Sequence, residues 1–198
     1  MTFSNQFISE CKEVIGQLNP DDIESMAEVL ASNRDRGGRL FIIGSGGGAG
    51  HASHAVCDFR KLGNFEAYAP YDNISELTAR VNDEGWDVTI LNWLKVSRFR
   101  KDDCIFVFSV GGGNDEKNIS NNIVQVVKYA KEIGAKVIGV VGKDGGYTKK
   151  MGDAVVVVPT VNANHMTSLT EGFQAVIWHL LISHPKVQVN PTKWESTK

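Results

Sequence analysis

The sequence predicts an α/β fold: a doubly wound, mostly parallel sheet flanked by helices and preceded by N-terminal helices. Three observations carry this expectation. Short, uninterrupted apolar runs recur along the chain, most of them end in glycine turns, and helical stretches separate them. Uninterrupted apolar strands are those buried on both faces of a parallel sheet, and strand, glycine turn, helix in repetition is the grammar of a doubly wound fold.

Taken in order, residues Ser4 to Asn33 read as two helices broken at Asn19-Pro20. Proline in a first turn followed by Asp21 and Asp22 suits the positive end of a helix, and Ile23, Met26, Ala27 and Leu30 then repeat at helical spacing. The first strand is Arg39 to Ile43, the next main ones are Cys104 to Phe108, Lys136 to Val141 and Ala154 to Val158, and Glu66 to Tyr71 is a further short candidate. Helices are expected over His51 to Leu62, Ile74 to Asn82, Ile119 to Ile133 and Ser168 to Ser183. This divides the chain into N-terminal helices at 1–37, an α/β domain at 38–185, and an irregular, exposed tail at 186–198.

Bulk composition narrows the class. A chain of 198 residues suits one domain, and 42% hydrophobic with 22% charged residues supports a real core. With 21 basic against 23 acidic residues and no long basic tract, nothing suggests a nucleic-acid surface. No apolar run approaches the ~18 residues of a membrane span, and the polar start MTFSNQFISECKE does not read as a signal peptide. Cys11, Cys57 and Cys104 are odd in number and lack CxxC spacing, which fits small buried thiols in a reduced, cytoplasmic setting.

Two turns invite an anion. Gly44-Ser45-Gly46-Gly47-Gly48 joins a buried strand to a helix, where converging N–H groups and the helix start can cradle a phosphate. Ser109-Val110-Gly111-Gly112-Gly113-Asn114 holds the equivalent place after a later strand. Glycine also serves tight packing, so one such turn says little, whereas two in corresponding positions point to a site at the carboxyl ends of the strands. Gly44, Gly46 and Ala49 also satisfy a dinucleotide fingerprint with Glu66 downstream, yet no nicotinamide chemistry follows in the rest of the chain.

Two carboxylate–histidine pairs stand out. His54 and Asp58 are one helical turn apart, and Glu171 and His179 share a face of an otherwise apolar last helix. Two histidines and two acids are a plausible set for Zn²⁺ or a similar divalent ion. His51, His165 and His184 lack comparable partners in the sequence, and His184, beside Pro185 near the tail, reads as a surface residue.

From Gly38 to His184 the chain resembles the SIS (sugar isomerase) domain family, and within it the phosphoheptose isomerases. The family's Gly-Asn-Gly-Gly-Ser turn is followed by a histidine ten residues after its first glycine; Gly44 and His54 keep that distance. Asp58 stands where the family has glutamate, Asn82-Asp83-Glu84-Gly85 matches an Asn-Asp-x-Gly stretch, and Gly142 to Gly146 is an almost unaltered family turn. Glu171 and His179 keep the spacing of a family glutamine and histidine. The chain departs at Gly48, where the family has serine, and at its second turn, where a Ser-Thr-Ser-Gly-Asn-Ser run is reduced to Ser109 and Asn114.

The resemblance implies aldose–ketose isomerisation of a sugar phosphate, sedoheptulose 7-phosphate first, by proton transfer through an enediol. It implies a homotetramer with sites between subunits, the N-terminal helices in the interface, and Zn²⁺ or another divalent ion on His54, Asp58, Glu171 and His179. Asp58 or Glu171 would be the base and His179 the acid. Ser45, Gly46, Gly47, Gly48, Asp83, Ser109, Gly111, Gly112 and Asn114 would bind substrate, with Arg60, Lys61, Asn73, Ser75 and Thr78 near enough to read its hydroxyls. The alternative is a non-catalytic SIS protein that binds a sugar phosphate or regulates a partner, which the missing turn hydroxyls would suit.

Overall fold

The structure, a computed structural model, describes residues 1–193. Five strands, β1 (Leu40–Gly44), β2 (Ala67–Tyr68), β3 (Cys104–Ser109), β4 (Lys136–Val141) and β5 (Ala154–Val157), form one sheet in the order β2-β1-β3-β4-β5. Every pairing is parallel, in agreement with the expected fold class. β1 and β3 are buried along their whole length, as their unbroken apolar runs require.

Among the described residues eight α-helices surround the sheet: α1 (Phe3–Gln17), α2 (Pro20–Asp35), α3 (Gly47–Gly63), α4 (Ile74–Glu84), α5 (Trp86–Val96), α6 (Asn121–Glu132), α7 (Gly146–Met151) and α8 (Met166–Ser183). One apolar layer, including Met26, Leu30, Phe59, Phe106, Trp178 and Leu181, joins α2, α3 and α8 to one sheet face. The other, including Phe41, Ile90, Leu94, Ile105 and Val127, joins α5 and α6 to the opposite face. Asn19 caps α2 by accepting a hydrogen bond from the Asp21 N–H at 3.1 Å, so the Asn19-Pro20 break is a helix start. Among the described residues no helix is long and apolar enough to cross a membrane.

Several elements differ from expectation. α3 begins four residues earlier, at Gly47, so the first glycine turn is itself the helix N-terminus. α5 was not anticipated, because its run Trp86–Val96 is apolar nearly all round and lacks a clean helical stripe. α7 is a six-residue helix inside what read as a turn region. β2 shrinks to two residues on the sheet edge.

Of the expected tail, 194–198 lie outside the described residues; 186–193 is irregular and mostly exposed, as expected, but is tied down at its start. Val187 is buried, Arg34 Nη1 donates to the Val187 carbonyl at 2.7 Å, and the Val189 and Asn190 N–H groups donate to Leu62 O. His184 is likewise engaged, its Nε2 lying 3.2 Å from Glu24 Oε1. Of the cysteines only Cys104 is buried, with its thiol pushed up to about 12 by desolvation; Cys57 is exposed.

Candidate active site

The sheet order reverses direction between β1 and β3, and the two glycine turns leave the carboxyl ends of these neighbours. That crevice is where open α/β sheets bind ligands. The first turn is shaped to receive an anion. Gly46 has φ +56° and a Cβ there would meet open space, while the N–H groups of Gly46 and Gly47 have no backbone partner. They point out of the start of a 17-residue helix, where the dipole favours negative charge. Gly44 and Gly48 are needed for a different reason: a Cβ on either would lie 2.6 Å or closer to backbone atoms.

Tyr71, which sequence reasoning missed, anchors this turn. Its buried hydroxyl accepts the Gly44 N–H at 2.9 Å and donates to the Gly44 carbonyl, and burial holds its ionisation well above the usual phenol range. Asn122, also missed, sits fully buried in the first turn of α6 and donates from Nδ2 to Ser45 Oγ at 3.1 Å. No short motif announces either residue, because each acts across a long sequence separation.

The second turn is built for packing. A Cβ on Gly112, at φ +68°, would lie 1.9 Å from the Gly145 carbonyl oxygen, and one on Gly146 would lie 2.2 Å from that of Gly111. The Gly112 N–H is already donated to Ser109 Oγ at 3.0 Å. Asn114 closes a small hairpin with Ile119, and its side chain accepts the Lys117 N–H at 2.8 Å. Only Gly111 leaves open space in front of its Cα.

The carboxylate–histidine residues come together in part. Asp58 Oδ2 lies 3.9 Å from His54 Nε2 and 3.9 Å from His179 Nε2, and one ligand atom from each of the three falls within 4.8 Å of the others. Glu171 is not in this group. Its carboxylate rests at the position a Cβ on Gly47 would occupy, 2.6 Å from that point, with no hydrogen bond or ion pair among the described residues. Gly47 meets Glu171 and Asp58 meets His179, so α3 and α8 run side by side in the same direction. The separation along α3 from Gly47 to His54 is about 10 Å.

The donor set fits Zn²⁺. Two imidazoles and a carboxylate are a common three-ligand arrangement that leaves a position open. His179 Nδ1 lies 2.7 Å from the Ala175 carbonyl, to which it donates, which leaves Nε2 as the nitrogen facing Asp58. Trp178 backs both rings, edge-on to His54 at 4.8 Å and stacked on His179. The group opens to solvent, with the side chains of His54 and His179 60% and 49% exposed. A cleft of about 330 Å³ adjoins it, lined by Asp58, Lys61, His179 and Lys193 among others.

Other expected residues lie apart. Asp83 sits exposed in the last turn of α4, bonded only to Asn82 among the described residues. Arg60 donates to Ala67 O, Asn73 caps α4 and Thr78 bonds Ile74 O, so of the five expected sugar readers Lys61 alone borders the cleft beside Asp58 and His179. His165, expected to lack a partner, lies 2.6 Å from Glu10 Oε2, and Asn162 donates to Glu10 Oε1 at 2.7 Å. Hydrogen bonds from Asn162, His165 and Gln6 hold the Glu10 carboxyl down at about 2.

Known proteins resemble this chain in sequence and fold. A lincomycin biosynthesis protein, LmbN, of Streptomyces lincolnensis is 30% identical over 184 residues, 88% of this chain, and the chain spans 65% of that relative's length. A phosphoheptose isomerase of Chlorobium limicola is 31% identical over 160 residues, covering 77% of this chain and 72% of the relative. In structure, the phosphoheptose isomerase GmhA of Neisseria gonorrhoeae superimposes with a TM-score of 0.75 at 23% identity, over 92% of this chain and 98% of that one. The SIS domain model matches residues 3–142, which take in both glycine turns, His54 and Asp58 but stop short of α8. A match of that extent, on a sheet whose crevice carries the turns, places the chain in the SIS domain family.

Proposed function

We propose that the chain is an enzyme, an aldose–ketose isomerase of a sugar phosphate, with sedoheptulose 7-phosphate as the first candidate. The observation that carries this reading is the meeting of His54, Asp58 and His179 from two helices that also border the anion turn. The 31% identical relative named phosphoheptose isomerase supports the same class. The reaction needs a base at a carbon next to the carbonyl and positive charge near the carbonyl oxygen.

This chain divides those tasks. The Gly46 and Gly47 N–H groups and the Ser45 hydroxyl hold the phosphate at the start of α3. Glu171, uncommitted and beside that turn, takes the proton from the carbon next to the carbonyl, exchanges it with solvent, and protonates the neighbouring carbon. The carbonyl oxygen gains a proton as the enediol forms, and the other oxygen gives one up as the new carbonyl closes. His54, Asp58 and His179 would hold a divalent ion, which when bound supplies the positive charge that stabilises the enediolate. Asp58 is the second carboxylate able to serve as base where it is not occupied as a ligand.

The open face suits a site completed between copies of the chain, as in the homotetramer the family resemblance implies. Val176 and Leu180 are exposed beside His179, and Phe3, Ile8 and Ile15 are exposed on α1. Purified protein given sedoheptulose 7-phosphate with Zn²⁺, Mn²⁺ or Mg²⁺ is expected to form the aldose, followed by NMR. No conversion with any of the three sinks the reading for this substrate and favours a non-catalytic binding role.

A further inference from the structure

The first turn is joined to α6 through the Asn122 side chain, and the hydrogen bonding of that side chain is asymmetric. Asn122 is completely buried at the start of α6, yet only half of its amide is used. Nδ2 donates to Ser45 Oγ at 3.1 Å, while Oδ1 has no partner among the described residues. A buried unpaired acceptor is costly, and an apolar residue of similar shape would avoid that cost. Retaining an amide here makes sense if the donated hydrogen bond to Ser45 is what the site needs.

That bond decides where the serine proton goes. A hydroxyl that accepts from Asn122 has its own O–H left to give, and among the described residues Ser45 O–H finds no acceptor. Ser45 is half-buried and flanks the free N–H groups of Gly46 and Gly47. We infer that Asn122 is the positioning residue that makes Ser45 a directed donor to a phosphate monoester, and that it ties α6 to the start of α3. The idea rests on reading the Gly44–Gly48 turn as a phosphate cradle. It gives the site one oriented hydroxyl where the second turn is occupied by its own packing.

A double-mutant cycle tests it, read by KM and kcat for sedoheptulose 7-phosphate and separately by titration with inorganic phosphate under ³¹P NMR. Asn122→Ala should weaken phosphate binding about tenfold, with kcat changed less than about twofold. Asn122→Asp keeps the shape, and a melting curve of each variant guards against a mere folding defect. The carboxylate introduced by Asn122→Asp accepts a hydrogen bond from the Ser45 O–H, turning it away from the ligand, and repels the ligand, for a loss of about 100-fold. Because Asn122 acts through Ser45, Asn122→Ala should add nothing once Ser45→Ala is present. Additive losses, an unchanged phosphate affinity in Asn122→Asp, or no phosphate binding by the parent protein overturns the assignment. Ser45-dependent phosphate binding without any isomerisation removes the reaction proposed above and still supports the role of Asn122.

Discussion

The two glycine turns follow adjacent strands and look alike on paper, yet they do different work. After β1, glycine at 46 and 47 leaves N–H groups unpaired at the mouth of a long helix. After β3, glycine at 112 and 113 lets one backbone press against another, and the Tyr147 and Thr148 N–H groups donate to the carbonyls of Gly113 and Gly112. The first turn is open at Gly46 and faces only the movable Glu171 side chain at Gly47; the second is filled by backbone. A glycine run therefore marks close backbone approach, and only the surroundings say whether the approaching group is a ligand or another loop.

This contrast can be broken by substitution. The largest effect is expected at Gly112→Ala, where both the positive φ and the 1.9 Å approach to Gly145 O forbid a Cβ. Thermal denaturation should show a loss of about 3 kcal/mol or more, or no folded protein. Gly111→Ala, one residue away and facing open space, should stay within about 0.5 kcal/mol. Equal losses at the two positions would mean that the packing does not depend on Gly112.

The second effect falls on the first turn and spares the fold. A Cβ on Gly47 meets the end of the Glu171 side chain, 2.6 Å away, and that side chain can swing aside. Gly47→Ala should therefore keep stability within about 1 kcal/mol, since alanine favours the helix. Turnover should drop about tenfold or more because the carboxylate leaves its place beside the turn. Unfolding and steady-state kinetics on the same sample separate the two readouts.

The smallest effect concerns the loop before α8, which is held by a carboxylate rather than by glycine. Glu10, on α1, binds Asn162 and His165 and has its carboxyl lowered from 4.5 to about 2. A depressed carboxyl stabilises the fold above its unfolded value and loses that contribution as pH falls towards the folded one. The melting temperature should thus decline between about pH 4.5 and pH 2 more steeply in the parent than in Glu10→Gln. Parallel declines would mean that this clamp carries no pH-dependent stability.

Much of this was legible in the sequence because it is local. Apolar runs announced the four main strands, the Asn19-Pro20 break announced α2, and regular spacing put His54 with Asp58 on one face. What stayed hidden depends on residues meeting across the fold. α5 lacks a polar face to betray it, and the Glu10–His165 pair spans 155 positions. Equal spacing on one helix also could not show that Glu171 lies at Gly47 while His179 lies at Asp58. Eight residues along α8 separate the ends of one expected four-residue set, and the structure joins three of them. Tyr71 and Asn122 escaped notice for the same reason: each is an ordinary residue until its partner in the first turn is known.

The most direct measurement of the central claim is isomerisation in D₂O. Protein supplied with Zn²⁺ and sedoheptulose 7-phosphate should yield the aldose with deuterium at the carbon next to its carbonyl, as an enediol protonated by a solvent-exchanged base gives, and Glu171→Gln should abolish both product and label. Aldose formed without deuterium, or no aldose and no exchange in the parent protein, would contradict it.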